Sequence, residues 1–215
     1  MNESRPRVNI QFDWVTSDLH FGHINIVKYV PARLDYLGLS DEEDMQAMNV
    51  ALVENHNRQV QPDADVLIIG DLCMGRVLET LQWITGLNGN LFLSPGNHDR
   101  MHSAVAKNAE KAQEWTEAYE AVGLTILPEY FVTEMDGVEV QVNHFPFTAD
   151  HSDEPRYMDA RPTDDGLPLV HGHLHDAYRF NNNQVNVGID AWDGRYLSPV
   201  EIADYFRSID FRSII

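Results

Sequence analysis

Residues 65–71 read DVLIIGD. An unbroken apolar run of four stops at Gly70-Asp71, the pattern of a short strand buried on both faces. It ends on a carboxylate. Other apolar runs in the chain end in the same way. Residues 8–17 place Val8, Ile10, Phe12 and Trp14 at period two and lead into Asp18 and His20. NLFLSPGNHD, 90–99, is a strand entering a loop with Asn97, His98 and Asp99. VEVQVN leads to His144, and LPLVHGHLH, 167–175, leads to His173 and His175.

Between these runs lie helical patterns. Residues 39–60 carry Met45, Met48 and Leu52 at helical spacing, with Ser40 and Glu43 as an expected capping box. Residues 76–87 and 101–122 are expected to be helical, and Trp83, like Met45 and Met48, to pack in the core. Ser198, Pro199 and Glu201 mark another helix start. Asp136-Gly137 between alternating runs signals a hairpin, and 184–192 holds one more strand. Strands mixed with helices predict an α/β fold, with a mixed sheet or two sheets between helices. The 148–168 stretch is polar, Pro-rich and long for a connection, which suggests a functional or a disordered loop. No repeat or linker divides the chain, so residues 1–215 are expected to form one domain.

Composition narrows the function. Of 215 residues, 43% are hydrophobic and 23% charged, as in soluble globular proteins. Acidic residues outnumber basic ones 34 to 15, a formal charge of −19. Such a surface repels polymeric nucleic acid and anionic membranes. One cysteine, Cys73, precludes an intrachain disulfide and reads as a small core residue. No apolar leader or spanning segment is evident, and a cytoplasmic location is expected.

In open α/β sheets the carboxyl edge is where ligands bind. Counted as candidate ligands, two aspartates, one asparagine and four histidines gather there, with His98 left over. Seven ligands exceed one tetrahedral site and suit two divalent ions. Imidazole and oxygen without thiolate point to manganese, iron, zinc, cobalt or nickel rather than to calcium or a thiolate-rich zinc site; manganese is the first expectation among them.

Asp18-x-His20, Gly70-Asp71, Gly96-Asn97-His98-Asp99, His144 and Gly172-His173-x-His175, in that order, resemble the calcineurin-like metallophosphoesterases. SDLHFGHINIVKY and VHGHLH resemble the small bacterial and phage-type branch. The resemblance implies a four-layer αββα sandwich of two mixed β-sheets flanked by helices. It implies that Asp18, His20 and His175 bind one metal, that Asn97, His144 and His173 bind the second, and that Asp71 bridges them. It further implies that His98 is the general acid, that Asp99 orients the His98 ring, and that Asn97 touches the substrate; His23, outside the shared ligand set but inside the branch's HFGH stretch, is expected either to touch the substrate phosphate or to pack. A hydroxide between the cations would attack phosphorus. The expected substrate is a small phosphodiester, a cyclic nucleotide among the candidates. A phosphomonoesterase or nucleotidase with the same site, or a non-catalytic scaffold, are the alternatives. Arg33, Arg100, Arg156 and Arg161 are expected as surface or salt-bridging residues, or as phosphate clamps. His171 is expected to be structural, and His56, His102 and His151 solvated.

Overall fold

The computed structural model describes residues 5–40, 44–150 and 156–209. A four-stranded sheet has the order β1 (Trp14–Thr16), β2 (Asp65–Ile69), β3 (Asn90–Ser94) and β4 (Leu124–Ile126). A five-stranded sheet has the order β5 (Tyr130–Met135), β6 (Val138–Asn143), β7 (Leu169–His171), β9 (Gln184–Asn186) and β8 (Phe180–Asn181). The second sheet is mixed, as expected. The first is parallel throughout, because each of its strands is reached by a crossover. The helices are α1 (Ala32–Leu37), α2 (Met45–Gln59), α3 (Val77–Thr80), α4 (Ala109–Glu120) and α5 (Pro199–Ser208). Two sheets flanked by helices match the expected fold class.

The alternation along β2 shows why the run 65–71 organises the molecule. Val66 and Ile68 point into a core shared with Met48, Leu52, Leu81 and Ile84 on the helical side. Leu67 and Ile69 point into a second core, with Val140, Val142 and Val170 of the other sheet and Ile202 and Phe206 of α5. Both faces of the strand are dry, so no polar alternation is possible. Each such side chain contributes roughly 1.5–3 kcal/mol by leaving water.

The hairpin forms where Asp136-Gly137 placed it. Both residues adopt positive φ, 45° and 80°, as the twist-matched two-residue turn demands. Ser198 and Glu201 form the reciprocal cap on α5. Elsewhere the elements are shorter than expected. The strand at 8–17 is confined to Trp14–Thr16, since Val8 and Asp13 make only isolated backbone bonds to Val132 and Asp65. Residues 76–87 split into α3 and a 3-10 segment, Leu81–Gly86. The helix expected over 101–122 begins only at Ala109, where the Asn108 side chain accepts from Lys111 N. Asp44 caps α2 by accepting from Ala47 N. The expected capping box, which needs Glu43, lies outside the described residues. Met48 and Trp83 join the core, but Met45, at the first turn of α2, is exposed. β4 had no sequence signal strong enough to announce it.

Candidate active site

The loops leaving the strands meet at one edge and are laced together by backbone. Asp18 N donates to Gly70 O (3.1 Å), His20 N to Asp71 O (3.0 Å), and Gly172 N to His144 O (3.1 Å). The glycines preceding the polar residues are required sterically. A Cβ on Gly172 would lie 2.4 Å from Ser17 Oγ and 2.5 Å from Asp18 Oδ2. One on Gly70 (φ +77°) would lie 2.5 Å from His144 Nδ1.

Backbone strain concentrates here. Nine non-glycine residues have left-handed φ among the described residues, and five of them are Asp18, His20, Asp71, His173 and His175. Each such residue costs about 1–2 kcal/mol, and strain of this kind persists where function needs it.

Two groups of side chains result. Asp18, His20 and His175 bring ligand atoms within 4.8 Å of one another, and so do Asp71, His144 and His173. Asp71 Oδ2 lies 3.7 Å from His20 Nε2 and 3.4 Å from His144 Nε2, so one oxygen faces both groups. Asn97 is buried, and its Oδ1 has no hydrogen-bond partner; neither has either ring nitrogen of His20, nor His144 Nε2. Buried polar atoms are normally satisfied. Lone pairs left bare, beside two buried carboxylates, are what divalent cations require. The nitrogen–oxygen donor set without thiolate fits such ions.

The ring nitrogens turned away from the cluster are held. His144 Nδ1 donates to Ile69 O (2.9 Å), which turns Nε2 toward Asp71. His175 Nδ1 donates to Asp190 Oδ2 (2.7 Å), and His173 Nε2 to Asp150 Oδ1 (3.2 Å). Each of these carboxylates is bound by a buried arginine. Arg33 donates from Nε and Nη2 to Asp190 (2.9 and 2.7 Å) and also to the carbonyls of Asp18 and Leu19. Arg161 donates from Nη2 to Asp150 (3.0 Å) and to the carbonyls of Pro146, Ala149 and Arg156. Carboxylates in such positions fix the tautomer and orientation of ligating imidazoles. Asp150 and Asp190 escaped the sequence reading. Asp190 carries the signal that found the others, a carboxylate just past an apolar strand, while Asp150 lies in a polar loop that offers no such cue. Arg33 and Arg161 are thus buried ion-pair residues, not phosphate clamps.

Electrostatics follow the same geometry. Burial raises the Asp18 carboxyl. Burial also opposes ionisation of Asp71, but His144, His98 and His20 outweigh it and hold that carboxyl well below the usual range. Burial likewise works against charge on His144, yet Asp71 raises its imidazole to about 9. Burial drives His20 well below its ordinary value and His23 to about 4.

His98 is the exposed member, with its side chain 41% accessible and Nε2 3.9 Å from Asp71 Oδ2. His23 lies beside His20, ring centroids 5.3 Å apart. One expectation needs correction. Asp99 does not reach the His98 ring. Its carboxylate accepts from the backbone amides of Asp71 (2.9 Å), Leu72 (3.2 Å) and Gly96 (2.9 Å) and from the Tyr119 hydroxyl (3.2 Å). It ties two loops together because it points inward, away from the opening. His171 is buried between Gly172 O and Tyr178, a structural role. His56 and His102 are buried rather than solvated, and His151 lies outside the described residues.

Sheets whose carboxyl edges converge on paired nitrogen–oxygen ligand groups define a class of candidate two-metal sites, and comparison with known proteins gives it a family. The calcineurin-like phosphoesterase profile matches residues 14–192, and the chain belongs to that family. The family works with divalent metal ions. The chain is 31% identical over 205 residues to the Gene 66 protein of Mycobacterium phage L5, covering 91% of this chain and 94% of that one. It is 30% identical over 186 residues to the Gene 66 protein of Mycobacterium phage D29, covering 83% and 88%. A crystal structure of an Aquifex aeolicus protein of unknown function shares the fold, with a TM-score of 0.61 and 21% identity over 92% of this chain and all of that one.

Proposed function

We propose that the protein is a dinuclear metal-dependent phosphodiesterase acting on a small ester, with residues 1–215 as one catalytic domain working in the cytoplasm. The carrying observation is Asp71 Oδ2, faced by His20 Nε2 from one side and His144 Nε2 from the other. Asp18, His20 and His175 would hold one ion; Asn97, His144 and His173 the other; Asp71 would serve both. Manganese is the first choice, with iron, zinc, nickel or cobalt open to the same donors.

When bound, two such ions supply Lewis acidity and bring the pKa of water toward neutrality. The chain's own groups do the rest. Asp190 and Asp150 hold His175 and His173 with their lone pairs toward the cluster. Asn97, beside the opening, and His23 contact the ester. His98, half-exposed and next to Asp71, delivers a proton from Nε2 to the leaving oxygen, a contribution of ~10²–10⁴ in rate. The low basic content and −19 charge favour a small substrate over a polyanion.

Elemental analysis of purified protein, then turnover of bis-p-nitrophenyl phosphate and p-nitrophenyl phosphate with each metal restored, tests the proposal. The diester is expected to turn over faster. Faster monoester turnover would reverse the preference, and protein that neither retains nor takes up metal would end the reading.

A further inference from the structure

Beside His98 a groove of about 490 Å³ is lined by Asn97, His98, Arg100, Lys107, Lys111, Glu114 and Trp115. The chain has only three lysines, and two of them stand here. In a protein of charge −19 this is a local reversal of sign: three cations face one carboxylate. The carboxylate is already engaged, since Glu114 accepts from Lys111 Nζ (2.7 and 2.6 Å). Arg100 is held in place, with its guanidinium 4.6 Å over the Trp115 ring and Nη2 donating to Gly75 O (3.3 Å). An arginine stacked on an aromatic face still presents its outer edge for two-point contact with a carboxylate or phosphate.

Resting on the phosphodiesterase reading, we propose that this groove is the subsite for the leaving group, and that the natural leaving alcohol carries a second anionic group, a phosphate or carboxylate. His98 fixes the direction: the departing oxygen must lie beside the proton donor, so what is attached to it extends into the space that His98 shares with Arg100 and Lys107. A second anion there meets the Arg100 and Lys107 cations, which also selects against neutral alcohols.

A matched pair of esters tests this. Bis(4-carboxyphenyl) phosphate and bis(4-carbamoylphenyl) phosphate are nearly isosteric and differ in one charge per leaving group. With Mn²⁺ restored, the wild-type protein is expected to show a KM about fivefold lower for the carboxylate ester, roughly what one well-placed ion pair supplies. In Arg100→Gln/Lys107→Gln the ratio of the two KM values is expected to fall to about one, while the protein stays folded, as its circular-dichroism spectrum reports. Equal KM values in the wild type, or a preference that survives the double substitution, would overturn the subsite alone. Turnover of neither ester would overturn the phosphodiesterase reading, and the subsite with it.

Discussion

Arg33 and Asp190 form a two-point ion pair with both side chains fully buried. The pair holds Asp190 against His175 Nδ1, and Tyr36 adds a hydroxyl donor to Asp190 Oδ1 at 2.7 Å. Burial disfavours the charged carboxyl, but Arg33 and His175 overcome it and hold the pKa of Asp190 far below the usual carboxylate range. Removing the charge of Asp190 would strand a guanidinium in the interior. Asp190→Asn is therefore expected to cost about 3–5 kcal/mol of stability and to weaken divalent-ion binding about 10–100-fold. Urea unfolding and calorimetric Mn²⁺ titration measure the two. Wild-type metal affinity in a folded variant would show that Asp190 does not position His175.

His98 has a different predicted signature, because it is exposed and makes no bond that the fold needs. His98→Ala should bind two equivalents of Mn²⁺ and lose ~10²–10⁴ in kcat. Unchanged turnover would remove the acid role. Asp71→Asn is the contrasting case: both ions should weaken together, and full occupancy by elemental analysis would contradict an oxygen shared between the two groups.

Asp99 separates scaffolding from ring orientation. Its carboxylate receives three backbone N–H donors and the Tyr119 hydroxyl. In Asp99→Asn the amide nitrogen would face some of those donors, a loss of about 1–3 kcal/mol. Tyr119→Phe should cost about 1 kcal/mol. Both are read from denaturant midpoints; an undiminished midpoint in Asp99→Asn would mean the loops are held by something else.

His56 gives the stability a pH dependence away from the site. Its Nε2 donates to Asn88 O (2.8 Å), so Nδ1 accepts from the Tyr196 hydroxyl (3.0 Å). Burial lowers its pKa to about 4 from 6.5. Above pH 6.5 the ring is neutral in both states and nothing is lost. As the pH falls from 6.5 toward 4, the unfolded chain takes up the proton first, and stability drops by at most roughly 3 kcal/mol. His56→Gln does not titrate, so its deficit relative to wild type should shrink between pH 7.5 and pH 4.5. A deficit that stays constant across that interval would exclude the proposed titration. His171, lowered to about 3 by burial, shifts in the same direction and will leave some acid sensitivity in the variant.

The sequence by itself determined the strands that end in Asp18, Asp71, Asn97, His144 and His173, the hairpin at Asp136-Gly137 and the cap at Ser198. These are local: an apolar run, a turn dipeptide or a cap needs no distant partner to be recognised. The tertiary structure decided where helices begin, as at Ala109, and which charged residues lie inside. Arg33 and Asp190 are 157 positions apart, Arg161 folds back onto carbonyls of its own loop, and Asp99 turns inward to the 71–72 amides. Burial of a charge depends on a partner brought in by the whole fold, so no neighbouring residues along the chain announce it.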